Sequence, residues 1–475
     1  MTAKKSVAII GGGTVGLYLA ATLANDVRLT VFEASVPASA APDALLGTRR
    51  ELGQHDGSRT GWRSGLGGTS RIWGGQLLPW EDWEFQGVGG PAWPIESSEI
   101  SPHYDRVRTK LGLSSTHAAI HERDWRTAEF AGGDLSIRRS TWMSPNERDF
   151  TKNSALKRHL GKVRVETDFL VTRIERTPVG LVVVGDRRGE EVRSEAFVDV
   201  VLTAGVLGNV RLLDRYFRGD KANLVGAGFM DHVSARVARL RVSDWSRFRE
   251  HAAQRKIQGV RTSVKYVTTP EFVRREGVHP GYGHWEFDVS QSALAETLRT
   301  RVLTRRSLSE LPREGLSALR ALKSATAGAH RPLPDFATPY LRVDVEQLPS
   351  RERSLRWHAD SGGEAMQIRW EISDDDVRSI RLIGDRVLSA LTDDDIGASP
   401  DCRIETLSPI DTKHMMGGAL MGLTAAESVV DTWGAVHGSS GLWVGGASVF
   451  PSGGVANPTF TALALADRMA DAIKS

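Results

Sequence analysis

The sequence predicts an α/β protein whose main α/β domain is built from segments that are not continuous along the chain. A Gly-x-Gly-x-x-Gly turn joins an apolar strand to a helix near the N-terminus, and a second strand–glycine–helix junction follows near residue 205. Strands that alternate with helices in this way are typical of a parallel sheet. At 475 residues, the chain is long enough for two or three domains.

The N-terminal elements occur in the order that a dinucleotide site requires. An apolar run at 7–10 is long enough for one buried strand, and residues 17–23 have helical spacing. A second apolar strand at 29–32 completes a strand–helix–strand unit. The helix directs its unsatisfied N–H groups at any phosphate bound in the turn.

The residues of the turn agree with this interpretation. Gly11 permits a tight turn, Gly13 lets the backbone approach a pyrophosphate, and Gly16 lets the helix pack on the strand. Glu33 ends the second strand, where an acid is expected to bind a ribose hydroxyl. We therefore expect a bound dinucleotide, and the alternative is a plain glycine-rich turn.

Composition excludes several other classes of function. The net charge of +3 is nearly balanced, which points away from a nucleic-acid partner. Cys402 is the single cysteine, so a disulfide framework, a CxxC redox pair and a cysteine metal cluster are excluded, and no metal is expected. No apolar run has the length of a membrane span, and the short N-terminal run is a strand rather than a signal peptide. We expect a cytoplasmic protein without an integral membrane segment.

The remaining chain is divided among predicted strands, helices and one glycine-rich loop. Glycine pairs flank Ser-Arg-Ile-Trp in residues 65–77, which predicts either an ordered loop over a flat ligand or a surface turn. The basic segment 299–331 is helical in pattern and is either a lid or, more simply, a solvated helical face. The other predicted elements are helices at 95–111, 210–216 and 377–391 and strands at 163–174, 181–185, 196–202 and 341–348.

Two C-terminal stretches resemble the signatures of glucose-methanol-choline (GMC) oxidoreductases. Lys413-HMMGGALMG-Leu423 resembles the His-x-x-Gly-x-x-x-Met-Gly element of that family. Gly441-LWVGGASVFPSGGVANPTFTALALADRMADAI-Lys474 resembles its closing strand, Ala-Ser-Val-x-Pro turn, Asn-Pro-x-x-Thr turn and last helix. GGTSRIWGGQ resembles the family's flavin loop, VLTAGVLGNVRLL its adenine-side junction, and LVGAGFMDH its crossing into the substrate domain.

The resemblance implies a fold and a division into domains. It implies a discontinuous Rossmann-like FAD-binding domain at 1–110, 161–235 and 400–475. A smaller α+β substrate domain with an antiparallel sheet is implied at 111–160 and 236–399.

The resemblance also implies functional residues, with His414 as catalytic base and Asn457 as its partner. The implied cofactor residues are Gly11, Gly13, Thr14, Val15, Gly16, Glu33, Gly68, Thr69, Ser70, Trp73, Gly74, Gly75, Val171, Ala204, Gly205, Gly446, Ala447, Asn457, Pro458 and Thr459. Weaker candidates for substrate contact, for which a core or surface position is an open alternative, are His232, His284, Trp285, Glu346 and Gln347.

The chain departs from the family pattern at three positions. Gly418 replaces the family's threonine and Leu420 its frequent arginine. Ile72 stands where many relatives attach FAD through a histidine. We therefore expect non-covalent FAD.

The expected reaction is FAD-dependent oxidation of an alcohol to a carbonyl, by hydride transfer to flavin N5. The Trp-Gly-Gly loop and the Ser-Val-Phe-Pro turn resemble the bacterial pyranose-oxidase-like branch, which implies a sugar, glycoside or polyol substrate. The electron acceptor would be oxygen, a quinone or another redox partner. The alternatives are a non-sugar alcohol, a flavin-dependent monooxygenase or reductase, and a non-catalytic binding protein. A reductase would need a second Gly-x-Gly-x-x-Gly after a strand, which the sequence lacks, and a binding protein would not need the His414 and Asn457 pair.

Overall fold

The structure is a computed structural model that describes residues 4–35, 53–122, 129–217, 220–221, 223–252, 254–288, 337–360, 363–391 and 396–475. The basic segment 299–331 lies outside these residues. None of the helices in the described ranges is both long enough and apolar enough to cross a membrane.

The described chain contains both strands and helices. The strands are β1 (Ser6–Ile10), β2 (Arg28–Phe32), β3 (Gln76–Leu77), β4 (Glu129–Phe130), β5 (Leu135–Trp142), β6 (Arg164–Glu166), β7 (Leu170–Thr177), β8 (Gly180–Arg187), β9 (Glu190–Phe197), β10 (Asp199–Leu202), β11 (His232–Val242), β12 (Arg255–Ile257), β13 (Val260–Thr268), β14 (Gly281–Asp288), β15 (Thr338–Glu346), β16 (Ser354–Asp360), β17 (Gly363–Arg369), β18 (Ala398–Arg403), β19 (Ile410–Asp411) and β20 (Leu442–Val444). The α-helices are α1 (Thr14–Leu23), α2 (Gly57–Thr60), α3 (Asp82–Phe85), α4 (Ser97–Lys110), α5 (Ser115–Glu122), α6 (Pro145–Arg148), α7 (Ser154–Leu160), α8 (Gly205–Phe217), α9 (Trp245–Ala252), α10 (Pro270–Glu276), α11 (Asp374–Ala390) and α12 (Thr459–Lys474).

A parallel sheet joins segments that are far apart in the sequence. Its order is β20-β10-β1-β2-β6, with β1 at the centre. Val7 and Ile9 of β1 are fully buried, as expected for a strand covered on both faces. The glycine turn after β1 enters α1, and the turn after β10 enters α8. The predicted discontinuous α/β fold is therefore confirmed.

The largest antiparallel sheet of the described chain has two chemically different faces. Its main order is β18-β11-β15-β14-β13-β5-β3. Helix α11 packs on one face, where a Cβ at Gly283 would lie 2.9 Å from Val387. Because side chains alternate along a strand, the other face carries the paired positions His284 and Arg342 and the row Tyr282, Asp344 and Ser234. The second face is therefore polar, although much of it is buried.

The structure differs from the sequence prediction at residues 163–174. The alternating pattern predicts one strand, but the segment divides into β6, which pairs in parallel with β2, and β7, which pairs antiparallel with β8. A turn with Asp168 at φ 54° separates the two strands. Alternation gives the face of each side chain but not the partner of the strand.

The domain limits expected from the sequence stay a prediction. The strands β3 and β11 begin within segments expected in the FAD domain, yet both pair in the large antiparallel sheet. The antiparallel sheet therefore receives strands from both sides of these limits.

Candidate active site

A cavity of about 500 Å³ opens where the carboxyl ends of β1 and β10 meet the C-terminal segment. Ligands of open parallel sheets bind at this position. The expected cofactor residues that line the cavity are Gly11, Gly13, Thr14, Val15, Glu33, Gly68, Thr69, Trp73, Gly74, Val171, Ala204, Gly205, Gly446, Ala447, Asn457, Pro458 and Thr459. His414 lines the same cavity.

The glycine turn leaves space for a ligand. Gly11 has φ +100°, and a Cβ there would lie 2.7 Å from the carbonyl oxygen of Thr203. A Cβ at Gly16 would lie 2.0 Å from the carbonyl oxygen of Gly11, so this glycine permits helix packing and does not line the cavity. A Cβ at Gly13 would meet open space, and α1 begins without a side-chain cap. The cavity therefore meets an uncapped helix N-terminus, which favours a phosphate group.

Glu33 connects the two glycine-rich loops on the cavity wall. Its Oε2 accepts a hydrogen bond from the backbone N–H of Gly12 at 2.8 Å, and its Oε1 accepts one from Gly65 at 3.0 Å. Each carboxylate oxygen has a second acceptor direction. Oε1 also accepts a longer bond from the backbone of Ser35 at 3.2 Å. Glu33 therefore holds the turn and keeps acceptor capacity for a ribose hydroxyl.

The loop 65–75 closes over the glycine turn. The backbone N–H of Gly67 donates to the Gly12 carbonyl at 2.8 Å, and the Thr69 and Thr14 hydroxyls lie 3.1 Å apart. Ser70 and Gly75 do not line the cavity, because Ser70 Oγ donates to the Gly67 carbonyl inside the loop and a Cβ at Gly75 would lie 2.9 Å from Arg148. These two residues shape the loop instead.

His414 has one ring nitrogen bound and one without a partner among the described residues. Its Nδ1 lies 2.8 Å from Thr412 Oγ1 and 3.1 Å from His232 Nδ1. Burial, together with the neighbouring His232, lowers the pKa of His414 to about 4, although Asp231 raises it in part. His414 is therefore neutral at physiological pH, and its Nε2 is available as a proton acceptor.

Asn457 carries a buried oxygen that lacks a hydrogen-bond partner among the described residues. This oxygen is Oδ1, and the residue lines the same cavity as His414. An unpaired buried acceptor costs free energy. A ligand that donates a hydrogen bond would remove this cost.

The buried carboxylate of Asp231, next to the weak candidate His232, holds the His414 loop. Asp231 Oδ1 accepts from the backbone N–H groups of Thr412 (3.1 Å) and His414 (2.9 Å) and from Thr412 Oγ1 (3.1 Å). Its Oδ2 lies 3.2 Å from His55 Nε2. Asp231 directly precedes the candidate residue His232 in the sequence.

Three of the buried groups near this loop are metal-ligand types. Atoms of His55, Asp231 and Asp411 lie within 4.8 Å of one another. Asp411 Oδ1 accepts from the backbone of Gly57 at 2.9 Å, and its Oδ2 accepts from Asp56 at 2.7 Å. Because backbone and side-chain donors already occupy these oxygens, the cluster connects two loops.

The weaker substrate candidates do not line the described cavity, and two of them pack elsewhere. Trp285 lies on the opposite sheet face from His284, against Phe248. Gln347 Oε1 accepts from the Trp370 indole at 2.7 Å. Glu346 Oε1 accepts from the backbone of Gly453 at 2.7 Å, and burial raises the pKa of Glu346.

Lys265, a residue of the antiparallel sheet that the sequence did not indicate, helps to lower the pKa of His414. The buried Lys265 amine lies 4.1 Å from the Tyr282 ring centre and makes no ion pair with a described residue. Burial lowers the pKa of Lys265 to about 8. Asp344, which lies 3.3 Å from His284, and Lys265 both act on the pKa of His414.

Comparisons with known proteins agree with this geometry. Residues 355–466 match the family model described as GMC oxidoreductase. The matched segment contains His414 and Asn457.

A solved structure supports the fold over nearly the whole length of the chain. The crystal structure of pyridoxine 4-oxidase from Mesorbium loti is similar with a TM-score of 0.57 and 16% sequence identity. The similarity covers 98% of this chain and 99% of that chain. No curated protein sequence matches the chain.

GMC oxidoreductases bind FAD, and the cavity of this chain fits that cofactor. The open space at Gly13 and the uncapped α1 accept a pyrophosphate, and Glu33 lies beside them. The unpaired Oδ1 of Asn457 marks the other part of the cavity, where His414 lies. The residues present therefore fit a dinucleotide that extends from α1 to His414.

We expect the substitution Glu33→Ala to weaken FAD binding. It removes a charged acceptor for a ribose hydroxyl and loosens two loops, and a hydrogen bond to a charged group contributes roughly 1.5–3 kcal/mol. Titration of the apoprotein with FAD should give a dissociation constant about 10–10²-fold higher than that of the parent protein.

The matched control is Glu190→Ala, at an exposed position on β9. This variant should bind FAD as the parent protein does. An unchanged dissociation constant in Glu33→Ala would show that Glu33 does not act on the cofactor.

Proposed function

We propose that this protein oxidises the C–OH group of a small polar alcohol to C=O, with His414 as base and Asn457 as the residue that orients the hydroxyl. When bound, FAD supplies the hydride acceptor at its N5 atom. The O–H proton passes to His414 Nε2, and the C–H bond breaks as its electron pair leaves with the hydride. The electrons of the O–H bond form the new C=O bond.

The observation that carries this proposal is the state of the His414 ring beside a shared cavity. Its Nδ1 is bound, its Nε2 has no partner among the described residues, and burial keeps its pKa near 4. Only a neutral imidazole can accept a proton. The charge gained in the reaction lies near the buried Asp231 carboxylate, which favours the protonated ring.

Asn457 is suited to hold the alcohol oxygen for this transfer. Its buried Oδ1 lacks a partner, and the residue lines the cavity with His414. Oδ1 accepts hydrogen bonds, while the amide NH₂ donates them, so the side chain can bind a hydroxyl in either sense. Hydride transfer tolerates little misplacement of the reacting carbon.

We propose a sugar, glycoside or polyol as the substrate class. The polar face of the antiparallel sheet supports it, because a buried amine, Lys265, and a buried carboxylate, Asp344, lie close enough to His414 to shift its pKa, so polar groups adjoin the expected base. A hydroxymethyl heteroaromatic alcohol is the second candidate, favoured by the structural likeness to pyridoxine 4-oxidase.

The single cysteine, Cys402, supports a cytoplasmic location.

We propose that FAD is held without a covalent bond, since Ile72, which lines the cavity, offers no attachment atom. The purified protein should be yellow, and acid precipitation should leave the flavin in the supernatant. Flavin that remains with the precipitated chain would identify an attachment residue.

Anaerobic mixing with a panel of alcohols tests the proposed reaction. We expect flavin absorbance to bleach with at least one sugar, glycoside or polyol, or with pyridoxine as the second candidate. Air, a quinone and a redox protein are then added separately to identify the electron acceptor. Bleaching by NADPH but by none of the alcohols would support the reductase alternative and overturn the proposal.

We expect the substitution His414→Ala to keep FAD bound but to slow flavin reduction by roughly 10²–10⁴-fold, the contribution of a positioned general base. In the parent protein the rate should rise as pH rises through about 4, because deprotonation of the ring makes the base available. This inflection should be absent in His414→Ala. Stopped-flow absorbance of the flavin measures both quantities.

Two further variants test the assignment. Asn457→Ala should slow reduction about 3–10-fold without moving the inflection, because it removes hydrogen bonds and not a titrating group. His437→Ala, whose Nε2 bonds Ser428 outside the cavity, is the control and should reduce at the parent rate. Equal rates in His414→Ala and the parent protein would exclude His414 as the base.

A further inference from the structure

His232 lies behind His414 and is itself bound at both ring nitrogens. It is fully buried, at the start of β11. Its Nε2 lies 2.8 Å from the carbonyl oxygen of Gly454, and its Nδ1 lies 3.1 Å from His414 Nδ1. His232 is therefore part of a chain of contacts that ends at the cavity.

The first contact determines which nitrogen of His232 carries the proton. A carbonyl oxygen only accepts hydrogen bonds, so His232 Nε2 must be the N–H donor to Gly454. In a neutral imidazole the other nitrogen then has a lone pair and no hydrogen. His232 Nδ1 is therefore an acceptor, directed at His414.

The second contact, between the two Nδ1 atoms, determines which nitrogen of His414 carries the hydrogen. Two ring nitrogens 3.1 Å apart bond only if one of them carries a hydrogen, and His232 Nδ1 carries none. His414 Nδ1 must then be the donor. Its Nε2 consequently has a lone pair and lies on the side of the ring without a partner among the described residues.

Thr412 gives the same assignment independently. Its hydroxyl can donate to Asp231 Oδ1, an ionised carboxylate oxygen at 3.1 Å. The hydroxyl oxygen, 2.8 Å from His414 Nδ1, then accepts from that nitrogen. Two acceptors therefore face the Nδ1–H of His414.

We propose that His232, held by the Gly454 carbonyl, is a positioning residue that fixes the hydrogen of His414 on Nδ1 and so leaves Nε2 as the base. The inference rests on the proposed function of His414 for its catalytic consequence, but the tautomer itself is a property of the resting protein. Without this constraint the ring could carry its hydrogen on Nε2, which would then be unable to accept the substrate proton.

Charged groups from several elements surround the pair. Asp231 accepts a hydrogen bond from the backbone of His414. Asp344 of β15 raises the pKa of the His414 ring, and Lys265 of β13 lowers it. Glu346 pairs with His232 in the strand register, and burial raises its pKa. The measurements below are made at pH 7, far above the pKa of His414, where the ring is neutral.

The direct test is ¹⁵N NMR of the FAD-loaded protein labelled at histidine nitrogens. Protonated and unprotonated ring nitrogens have well separated ¹⁵N shifts, and the signals missing in His414→Ala identify this residue. We expect the parent protein to show His414 protonated at Nδ1 and unprotonated at Nε2. His414 protonated at Nε2 would overturn the proposal.

Variants at His232 test the consequence for the rate. In His232→Leu the Nδ1 acceptor is lost, and flavin reduction should slow about 3–10-fold, the worth of one hydrogen bond. His232→Asn places Oδ1 close to the former Nδ1 position, keeps an acceptor, and should recover most of this loss. If His232 were merely structural, the loss of rate would depend on the size of the cavity that each substitution leaves. His232→Asn would then not recover the rate that His232→Leu loses.

Thr412 provides a second route if His232→Leu does not fold. Thr412→Val removes the other acceptor and should also slow reduction, while Thr412→Ser keeps the hydroxyl and should stay near the parent rate. Combining His232→Leu with Thr412→Val should move part of the His414 population to the Nε2-protonated form in the NMR spectrum. An unchanged spectrum in the folded double variant would contradict the proposal.

The two measurements distinguish failure of this inference from failure of the proposed function. If His414 carries its hydrogen on Nδ1 but His414→Ala reduces at the parent rate, only the catalytic role fails. If His414→Ala is slow but the hydrogen lies on Nε2, the role of His232 fails, and His414 remains important for the reaction without Nε2 as its base.

Discussion

The arrangement of the loops around His414 depends on one buried carboxylate, that of Asp231. Burial alone would raise its pKa, but the hydrogen bonds from the His55 side chain and from the His414 backbone N–H help to hold the pKa below its ordinary value. A buried charge of this kind is stable only when donors surround it. The donors come from segments far apart in the sequence, at His55 and at Thr412–His414, while Asp231 itself directly precedes β11. Satisfying this charge therefore brings together the loop of His55 and the loop of His414.

A second carboxylate, that of Glu33, also accepts hydrogen bonds from the backbone of loops that line the cavity. Glu33 follows β2 and accepts hydrogen bonds from the backbone N–H groups of Gly12 and Gly65. The glycine turn and the loop 65–75 are therefore held at a defined separation. In both halves an acid satisfies loop N–H groups that no strand or helix would satisfy. The loops can then stay open toward the cavity without leaving buried donors unpaired. The space that results is what a ligand with phosphate and hydroxyl groups requires.

Much of the fold could be predicted because local patterns depend on neighbours in the chain. The unit from β1 to β2 follows from apolar runs and glycine spacing, and α4, α8 and α11 follow from periodicity and capping residues. The division of residues 163–174 between two sheets could not be predicted, because strand pairing depends on segments that lie elsewhere in the chain. For the same reason, Trp285 and Gln347 were reasonable candidates in sequence but pack against Phe248 and Trp370.

The sequence by itself determined the chemical types at the site: a glycine turn with a terminal acid, a histidine at 414 and an asparagine at 457. These are set by motifs whose spacing is short, so each is visible in a single stretch of chain. The tertiary structure alone decided that His414 is neutral, that its Nδ1 faces His232 and Thr412, and that Asp231 holds its loop. Burial and hydrogen-bond direction are properties of groups brought together from distant positions. They fix where a proton resides, which residue identity does not determine.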